Sequence, residues 1–119
     1  MTTSDDSALL DALRRAISGD LLEMMFQPKV RLDDGALDCV EALLRWEDPE
    51  HGRINPERMV ALAEREGLIE ELTRWGLRAC LLQWRAWQAQ GIETRIAFNI
   101  SAMSLKRLDF PDLVEALFA

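Results

Sequence analysis

An alternation of period two over residues 39–46, CVEALLRW, restricts this chain more than any other feature. Extended side chains point alternately to opposite faces. Val40, Ala42, Leu44 and Trp46 therefore share one face, and Glu41, Leu43 and Arg45 share the other. The first face is wholly apolar, while the second holds a glutamate and an arginine around a leucine. A strand of this kind must bury one side, and it must solvate or partner two opposite charges on the other.

The same parity recurs in two more segments. In LLEMMFQPKVRL, residues 21–32, Met24, Phe26, Pro28 and Val30 oppose Met25, Gln27 and Lys29. The segment closes at Asp33, Asp34 and Gly35, a turn signal. Pro28 lacks a ladder donor and favours an edge or irregular pairing. In TRIAFNIS, residues 94–101, Ile96, Phe98 and Ile100 oppose Ala97, Asn99 and Ser101.

Helical periods fill the rest. SDDSALLDALRRAISGD repeats Leu9, Leu10, Leu13 and Ile17, with Ser7 or a preceding aspartate as cap and Gly19 as stop. Residues 1–8 are expected to be a disordered lead-in. Residues 47–59 read as a loop ending in a helix start: Asn55 caps, Pro56 suits the first helical position, and Glu57 faces the positive dipole end. That helix ends near Gly67. A longer one runs from Ile69 to Gln90 with two apolar stripes, one through Leu68, Leu72, Trp75, Ala79, Leu82 and Ala86. The other passes through Ile69, Leu72, Gly76, Cys80, Trp84 and Trp87. PDLVEALF, residues 111–118, starts a last helix. Strands separated by helices long enough for parallel crossovers indicate α/β architecture.

Composition narrows the function classes. The 119 residues are 49% hydrophobic, enough for one core, and the formal net charge is −7. That balance opposes a general nucleic-acid or anionic-membrane binder, although a local pocket can still take a small anion. Cys39 and Cys80 are too few and too distant for a metal knuckle and read as small buried residues. The start has no charged leader, and no apolar run approaches the roughly 20 residues of a membrane span. The expected location is the cytoplasm. The four tryptophans read as core, and the lone His51 reads as a solvent-exposed loop residue.

If the three strands are neighbours, Gln27, Glu41, Arg45 and Asn99 converge on one surface. A solvated sheet face explains such alternation. The sparseness of the polar groups, with Met25, Leu43 and Ala97 between them, suits a barrel interior instead. Arg45 offers a planar fork to phosphate oxygens, and Glu41 and Asn99 offer the hard oxygens that Mg²⁺ or Mn²⁺ prefers. A plain Glu41–Arg45 salt bridge is the alternative.

Four segments in order, FQPKV, VEALLRWEDPEHG, PERMVALAEREGLIEELTRWGL and IAFNISAMSL, closely resemble the first half of EAL domains. The resemblance runs from about Leu13 to the end of the chain. It implies the N-terminal portion of a modified TIM barrel: about three strands with flanking helices, the first strand antiparallel. It also implies hydrolysis of cyclic di-GMP to pGpG with Mg²⁺ or Mn²⁺. By position, Glu41 and Asn99 match metal ligands, while Gln27, Leu43 and Arg45 match ligand contacts, Arg45 through phosphate.

EAL domains are about twice this long. The family's further metal-binding glutamate, aspartate pair and lysine have no counterpart after Asn99. The chain alone is therefore expected to be inactive, or to act as a non-catalytic binding or interaction module; a decayed fragment is a third reading. Its open sheet edges are expected to be covered by self-association or by another protein.

Overall fold

The computed structural model describes residues 4–98, in the order α1 (Ser4–Ser18), β1 (Glu23–Val30), β2 (Leu37–Asp48), β3 (Gly52–Ile54), α2 (Pro56–Arg65), α3 (Ile69–Ala89) and β4 (Ile96–Phe98). Asn99 and the helix expected over 111–118 lie outside the described residues. Helix α1 begins at Ser4, within the stretch expected as a lead-in.

Strand β1 runs antiparallel to β2, with Glu23 opposite Arg45, Met25 opposite Leu43, Gln27 opposite Glu41 and Pro28 opposite Val40. The register slips between Lys29 and Val30. On the other side of β2, β4 pairs in parallel, aligning Glu41 with Ala97 and Ala42 with Phe98. The intervening helices α2 and α3 supply the crossover that parallel pairing requires. Val40 donates its backbone N–H to the Arg95 carbonyl at 2.9 Å, so its polar backbone faces β4. In an antiparallel pair the opposite residue then turns its own backbone outward. Pro28 thus presents its donorless nitrogen to the outer edge, and the β1–β2 ladder loses no bond to it.

Two expectations require correction. The segment 47–59 is not all loop. It contains β3, which makes a hairpin with the end of β2: Trp46 opposes Ile54, Glu47 opposes Arg53 and Asp48 opposes Gly52. The described sheet therefore has four strands where three were expected. Gly52 sits at φ 70°, a left-handed conformation that glycine adopts without a Cβ penalty and that lets the hairpin close.

The helix that follows starts as its sequence requires. Asn55 Oδ1 accepts from the Glu57 backbone N–H at 2.8 Å, with Pro56 opening α2. Met59, Leu62 and Ala63 on α2 join Leu9 and Leu13 of α1, Trp46 and Ile54 of the hairpin, and Ile69 and Leu72 of α3 in one apolar cluster. This core lies against the apolar face of β2, where Val40, Ala42, Leu44 and Trp46 are all buried.

Of the two stripes expected on α3, the structure buries chiefly one: Ile69, Leu72, Gly76 and Cys80 are buried, whereas Leu82 of the other is 58% exposed. Leu82 borders a cavity of about 670 Å³ between α1, β1 and α3. Trp75 lines it too, donating its indole N–H to Asp20 Oδ1 at 2.7 Å. Gly76 lets the ring of Phe98 on β4 press against the backbone of α3, because a Cβ there would lie 2.5 Å from Cε2 of Phe98. Of the two cysteines, Cys80 is buried as expected, but Cys39 is only half-buried near the start of β2.

Candidate functional site

The face of β2 opposite the core repeats the parity of its sequence. Glu41, Leu43 and Arg45 alternate with buried neighbours and are themselves half-buried. Register extends each into a row across the sheet. Gln27, Glu41 and Ala97 form one row, Met25 and Leu43 the next, then Glu23 and Arg45, and finally Glu47 and Arg53. Met25 is 52% exposed and Gln27 is exposed, so among the described residues nothing covers this face. The structure thus brings Gln27, Glu41, Leu43 and Arg45 onto one continuous surface. Asn99 follows Phe98 in the chain but lies outside the described residues.

The expected alternative of a Glu41–Arg45 salt bridge does not form. Glu41 Oε2 instead meets Lys29 Nζ at 2.5 Å, and Arg45 donates through Nη1 to the Leu44 carbonyl at 3.2 Å. The physical reason is register. Lys29 stands opposite Cys39, one diagonal step from Glu41, where a long side chain reaches a cross-strand neighbour. The hydrogen bond and charge of Glu41 raise the Lys29 ammonium above its usual range. Sequence reasoning missed Lys29 as a site residue, although its parity with Gln27 placed it on this face.

The fork of Arg45 has no carboxylate partner among the described residues, which leaves its donors available to an anion. As for a cation, Glu41 offers one carboxylate, already paired to an ammonium. No group of three or more His, Cys, Asp or Glu residues suited to a metal occurs among the described residues. That donor set does not by itself make a divalent metal centre, which needs several oxygen ligands.

Beyond Arg45 the hairpin loop is held by Asp48. Its Oδ2 accepts from the backbone N–H groups of Glu50 and His51, both at 3.0 Å, and lies 2.8 Å from His51 Nδ1. These contacts, the His51 side chain first, hold the Asp48 carboxyl below the usual carboxylate range. His51, expected as a solvated loop residue, is exposed but serves this turn. Between the start of β1 and the hairpin opens a cavity of about 570 Å³ bordered by Glu23, Met25, Arg45, Glu47 and Arg53. Glu47 and Arg53 were not singled out in the sequence, because a three-residue strand carries too short an alternation to read.

Comparison with known proteins gives the family and the fold. The EAL domain family model matches residues 10–119. MucR of Pseudomonas aeruginosa, a bifunctional diguanylate cyclase and cyclic di-GMP phosphodiesterase, is 40% identical over 107 residues, covering 89% of this chain and 16% of that protein. The oxygen sensor protein DosP of Escherichia coli is 36% identical over 104 residues, 87% of this chain and 13% of DosP. The chain thus spans less than a fifth of either relative. Among solved structures, the MucR phosphodiesterase in complex with c-di-GMP superposes with a TM-score of 0.85 at 38% identity, over 93% of this chain and 45% of that one. The Xanthomonas citri FimX EAL domain shares the fold, with a TM-score of 0.78 at 24% identity, covering 96% of this chain and 44% of that one.

Proposed function

This chain belongs to the EAL domain family, and on that premise we propose that its uncovered β1–β2 face is part of a cyclic di-GMP site. The observation that carries the reading is the continuous surface of Gln27, Glu41, Leu43 and Arg45 on paired strands. In this reading Arg45 binds a phosphate through its fork, while Gln27 and Leu43 contact the rest of the dinucleotide. The sheet is the first part of a barrel. Matching less than half of the MucR phosphodiesterase chain at high structural similarity supports that.

Glu41 and Asn99 are proposed to contribute oxygens to Mg²⁺ or Mn²⁺ where the remainder of a barrel supplies the other ligands. The described residues do not make that centre alone, so no hydrolytic step is assigned to them. A non-catalytic binding or interaction module is the second reading. The Lys29–Glu41 pair favours it, because an ammonium occupies the carboxylate a metal would use. The outer edge of β1 and the far edge of β4 have no strand partner among the described residues. Self-association or a partner protein is proposed to cover them. No helix among the described residues is long and apolar enough to cross a membrane, and a cytoplasmic setting fits the proposed nucleotide ligand.

Calorimetry with cyclic di-GMP, with and without Mn²⁺, tests the site. Binding that weakens at least about tenfold in Arg45→Ala is expected. The absence of binding, or equal binding by that variant, would overturn the proposal. Turnover with Mn²⁺ that disappears in Glu41→Ala would exclude the non-catalytic reading.

A further inference from the structure

Four charged side chains stand around the 570 Å³ cavity at the hairpin end of the sheet, in a checkerboard: Glu23 opposite Arg45, and Glu47 opposite Arg53. Oppositely charged residues directly across an antiparallel pair ordinarily attract. Here neither couple closes into an ion pair, and neither is otherwise engaged among the described residues beyond Arg45's bond to the Leu44 carbonyl. Asp48, the other carboxylate bordering the cavity, is consumed by the hairpin turn. Glu47 and Arg53 are both exposed and share the face of Arg45 by strand parity. Arg45 and Arg53 are diagonal neighbours, roughly 7–8 Å apart, within reach of one bound molecule.

A purely anionic ligand would be repelled by the two glutamates. The cavity instead matches a group that carries acceptors and donors on adjacent edges. Guanine does so: O6 and N7 accept, while N1–H and the exocyclic amine donate. Arginine forks pair bidentately with O6 and N7, and a carboxylate accepts from the neighbouring N–H groups. Adenine presents an amine where guanine has O6 and lacks the N1 proton, so it mismatches both partners.

We infer that Glu47 and Arg53 read a guanine base beside the phosphate held by Arg45, Arg53 donating to O6 and N7 and Glu47 accepting from N1–H and the amine. This rests on the cyclic dinucleotide reading above and adds the residues that select the base. The alternative, two solvated charges on a hairpin, predicts no effect on ligand choice.

Calorimetry of the 119-residue chain with cyclic di-GMP and cyclic di-AMP separates the possibilities. Wild type should favour the guanine dinucleotide. Arg53→Leu and Glu47→Leu should each lower that preference about tenfold, with circular dichroism unchanged. Arg53→Lys should recover only part of it, because an ammonium lacks the fork. Arg45→Ala should weaken both dinucleotides and keep the preference. An unchanged preference in both leucine variants overturns the inference while leaving the cyclic dinucleotide site standing. Failure of wild type to bind either dinucleotide overturns both.

Discussion

Replacing Gly76 by alanine probes how closely helix and sheet are packed behind the candidate site. In an open helix interior the change stabilises by about 1 kcal/mol, because alanine loses less backbone entropy. Here the added Cβ would collide with Cζ of Phe98, and it would lie 2.5 Å from Cε2 and 3.2 Å from Cε1. Carbon contacts are comfortable at about 3.5–4.0 Å, so the ring must retreat by roughly an ångström. Phe98 belongs to β4, which is paired to β2 through Ala42, and Gly76 is buried, so the retreat strains packing on both sides. Overpacking of this kind costs about 1–3 kcal/mol. Set against the helical gain, the net expectation is destabilisation by about 1 kcal/mol. Urea unfolding followed by circular dichroism measures it, and the sign should reverse in a Phe98→Ala background, where the space is open. If Gly76→Ala raises the midpoint equally in both backgrounds, the packing argument is wrong.

Asp48→Asn should destabilise the hairpin by about 1 kcal/mol at neutral pH, seen as faster amide exchange at Glu50 and His51. The Asp48 carboxyl titrates below its usual 3.8, so its contribution is complete above about pH 4 and disappears as pH falls through the depressed value. Wild type and variant should therefore converge in acid, and a constant gap down to pH 2 would contradict the assignment. Burial pushes the Cys80 thiol up to about 11, so a thiol reagent at neutral pH should label Cys39 first. Equal labelling rates would show that the α3 face around Cys80 opens readily.

Much of this arrangement was legible because strand parity and helix caps are local. Asn55, Pro56 and Glu57 announced α2, and the alternation of residues 39–46 put Glu41, Leu43 and Arg45 on the face that the core leaves free. Pairing register was not legible. Lys29 meets Glu41 only because β1 and β2 align Lys29 with Cys39, and no local pattern states that offset. The hairpin strand Gly52–Ile54 is too short for periodicity; it exists because Ile54 packs with Trp46 in the core. On α3 the sequence offered two stripes. Tertiary packing chose the one containing Gly76, the position where a ring can press against backbone.

The proline of β1 has a consequence for any strand that extends this sheet. By the alternation of an antiparallel pair, the outer edge of β1 offers the N–H groups of Met24 and Phe26, and at Pro28 it offers none. A strand that docks there meets a gap in an otherwise regular donor row. Only an alignment that sets a carbonyl with no need of a partner, or a solvated one, opposite Pro28 avoids a lost bond. Shifted by two residues in either direction, the same strand leaves a different acceptor unsatisfied. The missing hydrogen thus acts as a fixed penalty along the edge: whatever the sliding position, one acceptor of a docking strand goes without a ladder donor at Pro28, which discourages indiscriminate pairing between copies.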